Sequence, residues 1–218
     1  MTKLRTFNSI KPEIPFKALL LRLGYNKKQS LFSSREEKEI RTIAEDAAQA
    51  LELRAVTLRT PLEIEETAAG KAGIIVEGCA WESDSLGRTL SDCSEVLLMA
   101  ATGGMRFQEE LTELMAQGEM RKAVIWNALG SEMVDSVLDW LKVFFDRELL
   151  REGRKTANLR FSPGYGDLGF EVQEDLFKLL DLKALGINLN QAHLMTPEKS
   201  VTAISGTRTI KERGEVKT

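Results

Sequence analysis

The spacing of apolar residues changes repeatedly along this chain, and those changes limit the architectures open to it. From Ser34 to about Glu52 they recur at helical spacing, through Ile40, Ile43, Ala47, Ala50 and Leu51. Ser34-Arg35-Glu36-Glu37 has the form of a capping box that would start this helix. The spacing then drops to two over residues 55–60, 62–65 and 73–78, which predicts strands. Helix is predicted over 85–95, then a buried strand from Val96 to Ala101. A further helix is predicted over 105–117 and a longer one over 120–151. In the longer one Trp126, Met133, Val137, Trp140, Leu141 and Phe144 fall within one arc of ~100°. Its opposite face carries Asp135, Asp139, Lys142 and Asp146 and is expected to be mostly wet. A short apolar helix over 16–24, stopped by Gly24, precedes these elements. A Gly/Pro-rich loop at 162–169, a helix at 170–182 and a strand from Val201 to Ile204 follow them. Strands and helices that mix without regular βαβ alternation give an α+β class. The expected architecture is a mixed or antiparallel twisted sheet packed with several helices.

A chain of 218 residues fills one generous domain or two small ones, at ~100–200 residues per domain. Residues 1–80 read as an N-terminal helical and strand segment packing on the main body, 81–206 as that body, and 207–218 as a charged tail expected to fray. The formal net charge of -3 argues against a nucleic-acid binder that neutralises many phosphates. No run approaches the ~18 apolar residues of a membrane span. Arg22 breaks the one apolar run near the N-terminus, so no signal peptide is expected and the chain reads as cytoplasmic. Cys79 and Cys93 lie fourteen apart, neither a redox pair nor a zinc knuckle, and read as buried structural thiols. With a single His, His193, between apolar neighbours, neither a nucleophilic triad nor a metal site is expected, and no catalytic residue is assigned. Walker, G-x-G-x-x-G and H-E-x-x-H patterns do not occur.

Two glycine-containing loops are candidate ligand sites. Thr102-Gly103-Gly104-Met105 passes from a buried strand to a helix, either as an ordinary turn or with its amides turned to an anion. In Leu159-Arg160-Phe161-Ser162-Pro163-Gly164-Tyr165-Gly166-Asp167, the pair Pro163-Gly164 forces a bend. The bend places Arg160 and Tyr165 on either side and leaves backbone groups at Ser162 available. A guanidinium pairs bidentately with a carboxylate, and a Tyr face stacks on a base or attracts a cation. A small molecule with an amino-acid carboxylate, a purine and a positive charge suits that set; the plainer reading is a surface turn with a solvated Arg.

Arg160-x-Ser162-Pro163-Gly164-Tyr165 resembles the Arg-x-x-x-Gly-Tyr motif of the reactivation domain of cobalamin-dependent methionine synthase. Further likeness follows in Leu176-Phe177-x-Leu179-Leu180-Asp181 and Gly186-Ile187-x-Leu189. It extends to Met195-Thr196-Pro197-Glu198-Lys199-Ser200-Val201 and Ser205-Gly206, so that it covers about 160–206. Upstream, Leu86-Gly87 through Cys93 and the 96–101 strand fit free-standing members, and residues 1–80 match loosely. The resemblance implies a methionine synthase activation domain-like fold with 81–206 as its core. It also implies S-adenosylmethionine bound by Arg160 at the carboxylate end, by the backbone of the Ser162-Pro163-Gly164 bend and by Tyr165, with an acid at Asp135 on the long helix; Glu13 stands where a further N-terminal acid would be sought.

It implies a free-standing reactivation subunit that docks on a corrinoid protein, or on a methionine synthase core lacking its own reactivation domain. There it would support reductive methylation of cobalamin, with an electron from a donor such as flavodoxin or ferredoxin. Cobalamin would be met only through the partner, since no Asp stands two residues before His193. Asn190-Gln191 replaces the family's Thr-Glu, and Thr207-Arg208-Thr209-Ile210 replaces its aromatic-rich closing segment. These departures keep a second reading open, an adapter paralogue with the fold but no small-molecule site. A methyltransferase acting on its own substrate ranks behind both, because no strand, Gly-rich loop and acid occur in the usual order.

Overall fold

The computed structural model describes residues 4–25 and 33–210. In chain order the elements are β1 (Arg5–Phe7), α1 (Phe16–Arg22), α2 (Ser34–Ala50), β2 (Arg54–Pro61), β3 (Glu63–Glu66), β4 (Ala72–Val76), β5 (Cys79–Glu82), α3 (Asp84–Leu90), β6 (Glu95–Thr102), α4 (Met105–Ala116), α5 (Met120–Leu149), β7 (Arg154–Thr156), α6 (Val172–Leu179), β8 (Asn188–Leu189), β9 (Met195–Thr196) and β10 (Ser200–Thr209). The α+β class expected from the spacing is what the chain adopts. Its main sheet has five strands in the order β1-β2-β6-β10-β7, and every pairing in it is antiparallel. Residues 1–80 enter this sheet directly, since β2 pairs with β6 over eight residue pairs. A second antiparallel sheet, β3-β4-β5, and the short ribbon β8-β9 complete the strands.

Strand β6 explains why one sequence run could be read so firmly. Leu97, Met99 and Ala101 face a core built with α1, α2, α4 and α5, whereas Val96, Leu98 and Ala100 face a second core with α3, α6 and the β4–β5 hairpin. A strand covered on both faces gains nothing from alternation, so its sequence is apolar throughout. At ~1.5–3 kcal/mol per fully buried aliphatic side chain, this strand anchors both layers.

Several boundaries differ from expectation for local reasons. The cap of α2 is Ser33 rather than Ser34: the Ser33 hydroxyl accepts from the Glu36 amide, and the Glu36 carboxylate reaches back to the Ser33 amide. Helix α3 stops at Leu90, and Cys93 and Ser94 already lead into β6. Helix α5 ends at Leu149 and passes through a 3-10 turn to Gly153, whose φ of 67° reverses the chain. Helix α6 covers only Val172–Leu179 of the span expected to be helical.

The final strand is longer than the spacing predicted. It runs from Ser200 to Thr209, so 207–209 belong to the sheet and not to a frayed tail; residues 211–218 lie outside the described residues. Its polar side chains Thr202, Ser205 and Thr207 are buried and hydrogen-bonded, which hides the strand from a hydrophobicity pattern. The polar face of α5 is also drier than expected. The end of β7 and the segment after it cover it: Asp146 accepts from the Thr156 amide and hydroxyl, and Lys142 donates to the Asn158 carbonyl at 2.8 Å.

Candidate functional site

The 159–169 loop is tied to β10 at its start. Phe161 and Ile204 exchange backbone hydrogen bonds of 2.9 and 2.7 Å, and the Ser162 hydroxyl donates to the Thr202 carbonyl at 2.6 Å. The bend itself closes through Tyr165 N–H to Ser162 O and Gly164 N–H to Leu168 O. Gly164 has a φ of 86°, which favours glycine, and a Cβ there would lie 2.5 Å from the exposed Phe170 ring, which would have to turn away. Asp167 fastens the far side of the bend. Its carboxylate accepts from the Ser83 hydroxyl (2.6 Å) and from the Asp84 and Ser85 amides (2.7 and 3.1 Å) at the start of α3. Hydrogen bonds from Ser83, then from Ser85 and the Asp84 amide, hold that carboxyl well below the usual carboxylate range.

This tethering turns Arg160 back onto α5. Its guanidinium contacts Asp139 and stands 4.0 Å from Asp135, one turn earlier on the same helix face. The Asp135 carboxyl is pushed up by burial, while Arg160 draws it down. A groove of about 560 Å³ opens between α5, the loop and the start of β10. Val134, Leu138, Phe161 and Val201 give it an apolar wall, and Asp135, Arg160, Glu198 and Lys199 supply its charges. Tyr165 stands at its edge with 69% of its surface exposed, leaving a ring face free for a ligand. The groove falls within the ~300–1,000 Å³ of small-molecule sites.

Five of the six residues read as ligand contacts are therefore near one another: Arg160, Ser162, Tyr165 and Asp135 line the groove, and Gly164 shapes the bend. Pro163 is turned the other way, into a neighbouring groove with Phe170, His193 and Leu194. Spacing alone places Asp135 on a wet helix face, yet Arg160 and the loop partly cover it. Glu13 is exposed, and its neighbours Pro12 and Ile14 line a different groove. In the sequence Glu198 and Lys199 stand within the Met195–Val201 segment with no role marked by their spacing. The available signal was a charged pair set directly before a buried strand.

The other glycine loop is a strand-to-helix turn. The Gly103 amide donates to Lys199 O, the Gly104 amide to the Thr102 hydroxyl, and the Glu52 side chain lies against Gly104. His193 sits with Nδ1 3.4 Å from a Glu174 oxygen, away from the groove. Cys79 and Cys93 are free thiols. Burial, with Asp92 adding to it, pushes Cys93 up to about 11, which disfavours its reactive thiolate.

An antiparallel five-stranded sheet with helices packed on both faces and a groove of ligand size beside the start of β10 make up an α+β fold. The chain is similar to a solved structure described as "Crystal Structure of the MetH Reactivation Domain bound to AdoHcy", with a TM-score of 0.65 and 14% identity, over 96% of this chain and 80% of that one. At that identity the likeness is one of fold. No protein-family model and no curated protein sequence matches the chain. Among the described residues no helix is long and apolar enough to cross a membrane.

Proposed function

We propose that the groove binds S-adenosylmethionine and that the chain acts as a reactivation domain. One observation carries this reading: Arg160, Ser162 and Tyr165 of the 159–169 loop and Asp135 of α5 line a single groove in a fold shared with a reactivation domain described as bound to AdoHcy. The charges fit the ligand. Asp135, Asp139 and Glu198 face Arg160 and Lys199, three carboxylates against two cations, and S-adenosylmethionine carries one net positive charge at neutral pH. Arg160 takes the carboxylate end, Asp135 the cationic groups, and Tyr165 stacks at the open side. Bound there, the ligand supplies an electrophilic methyl group.

The chain's own contribution is to orient that group and to exclude water along the apolar wall. The acceptor would be the reduced cobalamin of a partner, either a corrinoid protein or a methionine synthase core without its own reactivation domain. A donor such as flavodoxin or ferredoxin would supply the electron. The compartment implied is the cytoplasm.

Titration calorimetry with S-adenosylmethionine tests the reading. Loss of a desolvated Arg–carboxylate pair costs on the order of 2–5 kcal/mol, so Arg160→Ala is expected to weaken binding well over tenfold. Absence of binding in the wild-type protein, alone and with a corrinoid protein, would overturn it.

One observation favours a second reading, an adapter that keeps the fold without the ligand: Asp139 already engages the Arg160 guanidinium. An adapter would show no heat with S-adenosylmethionine and no response to Arg160→Ala.

A further inference from the structure

We infer that Lys199 is a ligand-binding residue of the groove, sharing with Arg160 the carboxylate of a zwitterionic ligand. Lysine is almost never buried unless its charge is used, yet the Lys199 side chain is only 7% exposed and lines the groove. Its stem runs through a slot kept open by glycines. A Cβ on Gly130 would stand 3.0 Å from Lys199 Cγ, and one on Gly103 would stand 3.4 Å from Lys199 Cβ. The backbone is fixed as well, because Lys199 O accepts from the Gly103 amide at 2.7 Å. The ammonium is thus held in position rather than free to sample solvent.

Its ion-pair partner is exposed to water and so is readily replaced by a ligand group. Among the described residues Nζ has a single ion-pair partner, Oε1 of the preceding residue Glu198 at 2.8 Å, whose side chain is 72% exposed. An ammonium has three N–H donors, so donors remain for a ligand's oxygens. Arg160 is placed differently. Asp139 and Asp135 both face it, and a carboxylate approaching Arg160 alone meets two negative charges around one positive. Lys199 supplies the second cation that makes the site attractive to an anionic group, while Glu198 and Asp135 are left to face the ligand's ammonium. No covalent step is involved.

This inference rests on the proposed ligand class, and the test keeps the two apart. S-adenosylmethionine, S-adenosylhomocysteine and 5′-methylthioadenosine, which lacks the amino-acid carboxylate, are titrated against wild type, Lys199→Met and Lys199→Arg. Methionine matches the length of the stem and suits the apolar slot, and thermal melting checks that each variant is folded. Lys199→Met is expected to weaken the two carboxylate-bearing ligands at least tenfold and to leave 5′-methylthioadenosine within twofold, with partial recovery in Lys199→Arg. Equal weakening of all three ligands, or no weakening, would overturn the role of Lys199 and leave the proposed function standing. Failure of wild type to bind any of them would overturn both.

Discussion

Strands β6 and β10 run side by side for eight residue pairs, and their two ends treat charge in opposite ways. At the Thr207–Glu95 end the charges are closed among themselves. Glu95 accepts from Arg59 through Nη2 (2.7 Å) and Nε (2.9 Å), from Arg154, and from the Thr207 hydroxyl at 3.2 Å; Arg59 also spans to Glu152. At the Ser200–Thr102 end Arg160, Asp135, Lys199 and Glu198 stand around a groove of about 560 Å³. At the first end Glu95 and Arg59 each have more than one protein partner, whereas at the second an exposed Glu198 completes Lys199. The same residue types therefore do structural work at one end and leave binding capacity at the other.

Glu95→Ala should break the comparison most visibly. It removes the acceptor between Arg59 and Arg154, both largely covered, and leaves two cations facing each other. Because these groups keep some contact with water, the cost falls below that of a fully buried pair, at about 2–3 kcal/mol. For a chain of this size that lowers Tm by roughly 4–12 °C. Binding in the distant groove should be unchanged. A melting curve and a titration on the same sample separate the two ends, and a variant that lost binding with little change in Tm would contradict the division drawn here.

Gly164→Ala probes the open end with a smaller effect. The left-handed backbone at Gly164 costs about 1 kcal/mol with a Cβ present. The clash with Phe170 adds less, since that ring is exposed and can turn away. Chemical denaturation should show this modest loss. Ligand affinity should fall as well, because the bend sets the positions of Ser162 and Tyr165. Unaltered affinity would show that the bend does not set the groove.

The legible parts of this chain were those in which one physical demand dominated the residue choice. Val96–Ala101 is buried on both faces and can be little other than a central strand. The 120–151 pattern is long enough to outweigh local exceptions and matches α5 within two residues. Strands β1, β7, β8 and β9 have two or three residues each and exist through pairing, which no local spacing records. The far half of β10 leaves no apolar pattern because Ser205 and Thr207 satisfy their hydroxyls inside the protein. Gly206 adds no apolar signal, although a Cβ there would stand 2.2 Å from Cys93 Sγ. In the groove, Arg160, Ser162 and Tyr165 were legible from the bend and the motif. The role of Asp135 depended on what covers its helix face, and Lys199 depended on two glycines more than sixty residues upstream.

Asp167 gives the smallest expected effect and the most direct test of how the loop is held. Its carboxylate caps the start of α3 across more than eighty residues of sequence, joining the ligand-side bend to the second core. Those hydrogen bonds depress its folded pKa below the ~3.9 of an unfolded aspartate. A depressed pKa means that the unfolded chain binds the proton more readily. The stabilisation is therefore complete above about pH 5 and is lost as pH falls through 3.9 toward the folded value. Asp167→Asn keeps one acceptor and removes the titration. Urea midpoints measured for both proteins between pH 6 and 2.5 should converge as pH drops, with wild type the more stable at pH 6. Curves that stay parallel across that range would mean that the Asp167 charge contributes nothing to holding the loop on α3.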